Sequence, residues 1–398
     1  MLASYLPPDI LDYTIDLLHN EPETLKQCCL VSKSWVPRTR KNLFADIKFR
    51  SASNLESWKN TFPDVTNSPA RRAHTLFVGC PRLVVAADAE EGGWIQAFSS
   101  IRHLELGNDN QYLRAAHASL SPFYGFSPAL KSLRICPIVL PFPQVFDLIL
   151  SFPLLEDLAL EGRDESRFND HDPHGPQIVV PSTSPVFTGT LDFRILEGAG
   201  NAVRQMLALP NGLHFRSLVF SCGHVEDVGL ITELVARCSH TLKSLDITYT
   251  FYRTSICTWS APITQFCHSV GLDSASFDLP KATKLCDVCF RPETEGVEWI
   301  DMALKTITPE HRDLGRISIY LPPRLTFWNI GVDIRLSFGE ETSRGWSDLD
   351  HLLVQFWEAY SIRPRVGCVR KREKGQNAEY CIGRLLPETT KRGIVDLV

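Results

Sequence analysis

Residues 130–160 read LKSLRICPIVLPFPQVFDLILSFPLLEDLAL. The stretch opens and closes on one phrase: an apolar residue, two others, an apolar residue, one other, an apolar residue. The first copy is Leu130-x-x-Leu133-x-Ile135 and the second Leu155-x-x-Leu158-x-Leu160. The alternation that ends each copy predicts a short strand with every second side chain turned inward. Between them, Gln144 to Phe152 predicts a helix. Strand, helix and parallel strand at this spacing build a solenoid, in which each unit buries its apolar face on its neighbours.

The phrase recurs along the chain. It appears as Ala73-x-x-Leu76-x-Val78 and Ile101-x-x-Leu104-x-Leu106, then as Phe215-x-x-Leu218-x-Phe220 and Leu242-x-x-Leu245-x-Ile247. It returns as Leu285-x-x-Val288-x-Phe290 and Leu314-x-x-Ile317-x-Ile319, with a degenerate copy at Leu191-x-Phe193-x-Ile195. Most neighbours stand about 25 to 30 residues apart, the spacing of leucine-rich repeats. Glu226 to Cys238 predicts another helix between copies. The asparagine that usually ends the strand motif of such repeats is missing, and the interval from 247 to 285 exceeds one unit. A doubly wound α/β sheet would use the same elements, but the recurring phrase favours the solenoid. Its inward positions, Leu104, Leu106, Leu133, Ile135, Leu158, Leu160, Leu218, Leu245 and Ile247, are the expected buried layer. Two irregular segments interrupt the pattern: a polar one from Glu161 to Pro185, too long for an ordinary connection, and a second from Thr250 to Pro280. Near the end, Ser347 is a possible cap for a helix carrying Leu349, Leu352, Leu353, Phe356 and Trp357. The closing KRGIVDLV (391–398) predicts a last strand.

The N-terminal stretch has a different character. Residues 6–47 read LPPDILDYTIDLLHNEPETLKQCCLVSKSWVPRTRKNLFADI. Pro7 and Pro8 suit the start of a helix, where a missing N–H costs nothing, and Asp9 suits the positive end of its dipole. Leu11, Ile15 and Leu18 form an apolar stripe, and Asn20 and Pro22 end that helix. A second stripe runs through Leu25, Cys28 and Cys29 to Leu30 and Val31. A third short helix carries Trp35, Leu43 and Phe44, and Pro37 places its start near Trp35. So small a module holds few core residues. Leu6, Ile10, Leu30, Val31 and Trp35 read as surplus apolar surface, which on a soluble protein meets a partner. The plainer reading is that these helices cap the domain that follows. A linking helix is predicted from Asn54 to Phe62, ended by Pro63.

The Leu6-Pro7 opening, the apolar Ile10, Val31-Ser32 and Trp35 together make this segment resemble the F-box, the docking module of substrate receptors in cullin–RING ubiquitin ligases. The layout is similar to that of fungal, particularly mushroom-type, F-box proteins with a divergent leucine-rich-repeat-like domain. The resemblance implies a three-helix F-box over residues 1–50, a linking helix over 51–70 and an α/β leucine-rich-repeat-like solenoid with short parallel strands over 71–398. It implies that Leu6, Pro7, Ile10, Val31 and Trp35 bind a Skp-type adaptor, and through it cullin and RING subunits, while the repeats hold a protein target. It further implies a protein that is not itself an enzyme and needs no cofactor.

Composition agrees with a protein-binding role. A net charge of −5 gives no basic footprint for nucleic acid, and the cluster Lys371, Arg372 and Lys374 reads as a solvated loop. No secretory signal and no apolar run of membrane-spanning length is seen, so an intracellular chain with its twelve cysteines mostly reduced is expected. Candidate chemistry is sparse. Cys286 and Cys289 form a C-x-x-C without the second pair a structural zinc site needs. His171, Asp172 and His174 sit in a polar loop. Gly198-Ala-Gly200, followed by a helix predicted from Ala202 to Leu209 with Asn201 as its cap, has the placement of a dinucleotide turn, but Val203 occupies the third glycine position. An enzyme using that turn is the alternative to a receptor; an F-box that has become vestigial is a third reading.

Overall fold

A computed structural model describes residues 7–79, 94–107, 113–114, 120–140, 142–164, 185–195, 199–209, 211–222, 225–249, 279, 281–292, 297–321, 340–368 and 376–397. The chain divides into two units, residues 1–156 with 177–185 and residues 157–176 with 186–398. Both are α/β, with short parallel strands paired in sequence order, a solenoid-like arrangement. No helix among the described residues is long and apolar enough to cross a membrane.

The first unit opens with α1 (Pro8–Leu17), α2 (Pro22–Val31) and α3 (Val36–Leu43). Each has a proline at its first or second position, where the ring's fixed φ favours the helix and the absent N–H had no partner to lose. Strand β1 (Asp46–Phe49) follows, then α4 (Ala52–Thr61), β2 (Thr75–Val78), β3 (His103–Gly107), β4 (Leu113–Arg114), β5 (Ser132–Leu140) and α5 (Phe142–Leu150). The predicted linking helix is thus present two residues early, because Ser51 caps it by accepting from the Asn54 N–H. It is no free linker: its Trp58 packs edge-on against Phe44 and Phe49, in a cluster that Phe62, Trp94 and Phe98 complete.

Strands β1, β2, β3 and β5 pair in parallel with one register. Ile47, Leu76, Leu104 and Leu133 form one column, and Phe49, Val78, Leu106 and Ile135 the next. All eight are buried. Strand β1 was not foreseen, since Phe44-x-x-Ile47-x-Phe49 is a copy of the phrase inside the segment read as helical module.

The second unit runs β6 (Asp157–Asp164), β7 (Thr190–Ile195), α6 (Ala199–Leu207), β8 (Ser217–Cys222), α7 (Val225–Cys238), β9 (Ser244–Tyr249), β10 (Asp287–Pro292), α8 (Glu298–Lys305), β11 (Arg316–Leu321), α9 (Glu340–Tyr360), β12 (Arg365–Cys368), α10 (Gln376–Leu385), α11 (Pro387–Lys391) and β13 (Asp396–Leu397). One column holds Leu158, Leu191, Leu218, Leu245, Val288 and Ile317; the next holds Leu160, Phe193, Phe220, Ile247, Phe290, Ile319 and Val366. The nine positions expected in the buried layer are at most 3% exposed. In the degenerate copy Phe187, one residue further back than the phrase requires, replaces the leading apolar residue and stacks on Phe215 at 5.0 Å.

The rungs are tied by a repeated hydrogen-bond device. In the first unit the carbonyl just before three of the strands accepts two successive amides of the next rung: Ala45 from His74 and Thr75, His74 from Arg102 and His103, Arg102 from Lys131 and Ser132. In the second unit Gly189, Arg216, Lys243 and Cys286 accept in the same way. Strands β6 and β7 pair directly although residues 165–189 lie between them, and β9 pairs β10 across residues 250–286. Glu161 to Asp164, assigned to the polar insertion, complete β6 instead. Residues 165–184, which include His171, Asp172 and His174, lie outside the described residues, as do 250–278, Gly198 and the 371–374 cluster. Ser347 does not start the late helix; it is an exposed residue inside α9, which begins at Glu340. Asn201 likewise lies inside α6 and not at its cap.

Candidate functional site

Among the described residues, large apolar side chains are exposed at nine positions, and five of them fall between residues 10 and 31: Ile10, Tyr13, Leu17, Leu30 and Val31. The concentration singles out the three-helix module. Its core is small. Leu11, Ile15 and Leu25 are buried, and Leu18, Trp35 and Leu43 pack against them. Helix α1 therefore spends the Leu11–Ile15–Leu18 face on the core. The residues at 10, 13 and 17 recur at helical spacing on another face and remain in solvent, Tyr13 at 66% and Leu17 at 63%. On α2, Leu25 and Cys28 turn inward while Leu30, at 81%, and Val31 do not.

Polar contacts fix the module's geometry. Helix α3 packs on both other helices. Arg38 on α3 grips Asp16 on α1 with both ends of its guanidinium, Nε donating to Oδ1 at 2.7 Å and Nη2 to Oδ2. Asn42 donates to the same carboxylate at 2.8 Å. The Arg38 bond, then the Asn42 bond, lowers the Asp16 carboxyl from its ordinary 3.8 to about 2. The clamp holds α1 and α3 in register, and so sets where the exposed stripe of α1 stands.

The sequence-derived docking residues divide. Pro7 caps α1 and is exposed, and Ile10 and Val31 are exposed. Leu6 lies outside the described residues. Trp35 is not surplus surface: it is half-buried at the start of α3 and packs on the module core, with its indole N–H unpartnered. Tyr13 and Leu17, exposed beside Ile10, were not singled out from the sequence. The signal was present, because they stand three and seven residues after Ile10.

The face of the second unit's sheet that lacks the apolar columns carries polar groups. Arg291 donates Nε to both carboxylate oxygens of Asp246, at 3.0 and 3.2 Å, and Nη2 to Oδ2 at 3.0 Å. Its guanidinium lies 4.4 Å from the Tyr320 ring centroid, and Asp246 holds it above its ordinary range. Cys289 stands between these rungs. Burial, and then the Asp246 charge, pushes its thiol up to about 12, so at neutral pH it is neither thiolate nucleophile nor ready metal ligand. Cys286 lies just before β10 and donates to the Lys284 carbonyl at 3.4 Å. Among the described residues no three His, Cys, Asp or Glu side chains gather as a metal site.

No family model matches the chain, and no curated protein matches it. Among solved structures it is similar to a crystal structure of a protein from Bacteroides fragilis, at 16% identity and a TM-score of 0.28, over 60% of this chain and 67% of that one. A likeness of that size carries no functional argument, which leaves the residues to do so.

Proposed function

We propose that this chain is the substrate-recognition subunit of an SCF-type cullin–RING ubiquitin ligase. The N-terminal helices act as an F-box that docks on a Skp-type adaptor, and the strand-and-helix repeats, read as leucine-rich-repeat-like, hold a protein target. The observation that carries this reading is the unspent apolar stripe of α1, Ile10, Tyr13 and Leu17, joined by Leu30 and Val31 at the end of α2. A module that braces its own helices with Asp16, Arg38 and Asn42 while leaving five large apolar side chains in water is built to lose that surface to a partner. The chemistry contributed is placement, raising the effective concentration of target near the charged enzyme.

The test is reconstitution with adaptor, cullin, RING subunit and a co-purified target. Ubiquitin transfer is expected to require residues 1–44 and to fall with adaptor affinity in the Leu17→Ala variant. Transfer that persists without those residues, or turnover of a small molecule by the chain alone, overturns the proposal.

A further inference from the structure

The structure assigns a second site, independent of the docking module, to His214 and His240. We propose that these two imidazoles chelate a divalent transition-metal ion and so pin two successive rungs of the second unit.

His214 lies in the turn that enters β8 and His240 in the turn between α7 and β9, so the two belong to rungs paired Ser217 to Ser244. Their facing nitrogens, Nδ1 of His214 and Nε2 of His240, stand 2.8 Å apart, with the rings at 82° and their centroids 4.9 Å apart. His214 is already oriented as a metal ligand. Its other nitrogen, Nε2, lies 3.2 Å from the Asn211 carbonyl, which places the ring proton there and leaves the Nδ1 lone pair facing His240. A ring N–H donated to a backbone carbonyl is the usual second contact of a metal-bound histidine. Gly212, at φ +70, makes the turn that presents this carbonyl, and a side chain there would be strained.

In the metal-free pair one proton bridges the facing nitrogens. A metal would take its place, and His240, which is exposed, would carry its proton on Nδ1 instead. The spacing is close to what a chelate needs. Two nitrogens each about 2.0 Å from a metal stand about 2.8 Å apart at a right angle and about 3.3 Å apart at the tetrahedral angle. The 2.8 Å seen here is the length of the hydrogen bond between the two rings, so they must turn before their lone pairs converge on one ion. A swing of the exposed His240 ring brings both lone pairs onto one point, and water completes the coordination.

The test uses the full, untagged chain titrated with NiCl₂ and, in parallel, ZnCl₂, read by calorimetry and thermal unfolding. One equivalent of Ni²⁺ is expected to bind and to raise the unfolding temperature. Affinity should weaken roughly tenfold or more in His214→Ala and in His240→Ala. His240→Gln is the control for folding, since its amide can still donate to His214 Nδ1 yet supplies no imidazole nitrogen. No Ni²⁺ binding by the parent chain overturns the proposal. So does unchanged stoichiometry and affinity in His240→Gln and His240→Ala.

Discussion

At the scale of single residues, the exposed and the half-buried members of the helical module have separable consequences. Tyr13→Ala and Leu17→Ala remove side chains that touch little of the module, so adaptor affinity is expected to drop with the melting curve unchanged. A central interface anchor of this kind contributes about 2 kcal/mol or more. Trp35→Ala is expected to lower both affinity and melting temperature, because its indole packs on Leu11, Ile15 and Leu25. Parallel calorimetry and circular dichroism separate the two classes. Asp16 gives a pH prediction. Its folded carboxyl titrates near 2 against an ordinary 3.8, so its stabilising share is complete above the ordinary value and is lost as pH falls from there through about 2. Solvent screens so exposed a pair, which keeps the effect modest. Carboxyl NMR should find the Asp16 midpoint raised toward its ordinary value in Arg38→Ala. The exposure of Ile10 and Val31 was legible because a small module with more apolar residues than core must leave some outside. Trp35 was misjudged for the same reason in reverse: a count of surplus residues does not say which of them the core keeps.

At the scale of elements, the strand phrase was the strongest signal, because inward positions two apart are fixed by the pleat. Leu133→Ala and Leu218→Ala are each expected to cost about 2–5 kcal/mol in chemical denaturation, as both are fully buried in columns that cannot close over the gap. Arg134→Ala, between two inward residues on the same strand, should change stability by less than about 0.5 kcal/mol, because Arg134 faces outward and pairs with Glu105 at 3.5 Å near the surface. What was not legible follows from the same physics. Strand β1 hid behind the module preceding it, and β12 departs from the phrase, since Ile362 stands four residues before Val366, the partner of Ile319, where the phrase has five. Helix starts slipped by one to seven residues, since several neighbouring positions satisfied the capping rule.

At the scale of the whole chain, the N-terminal module and the sheet of the first unit overlap in sequence. A chain starting at residue 45 keeps Ile47 and Phe49 in their columns, and one starting at residue 51 removes both. The shorter chain is therefore expected to melt several degrees lower and to expose Trp58 and Trp94, which tryptophan fluorescence reports. Neither should bind adaptor. The other end of the chain makes a different point. Strand β13 pairs with β12 through two residues only, Asp396 and Leu397. A parallel sheet that ended on a full-length strand would offer its open N–H and C=O groups as a template for the next molecule. Two residues offer too few for a foreign strand to hold, and the first of them is an acid. So short an outer strand leaves little template for edge-to-edge pairing on that side of the described sheet.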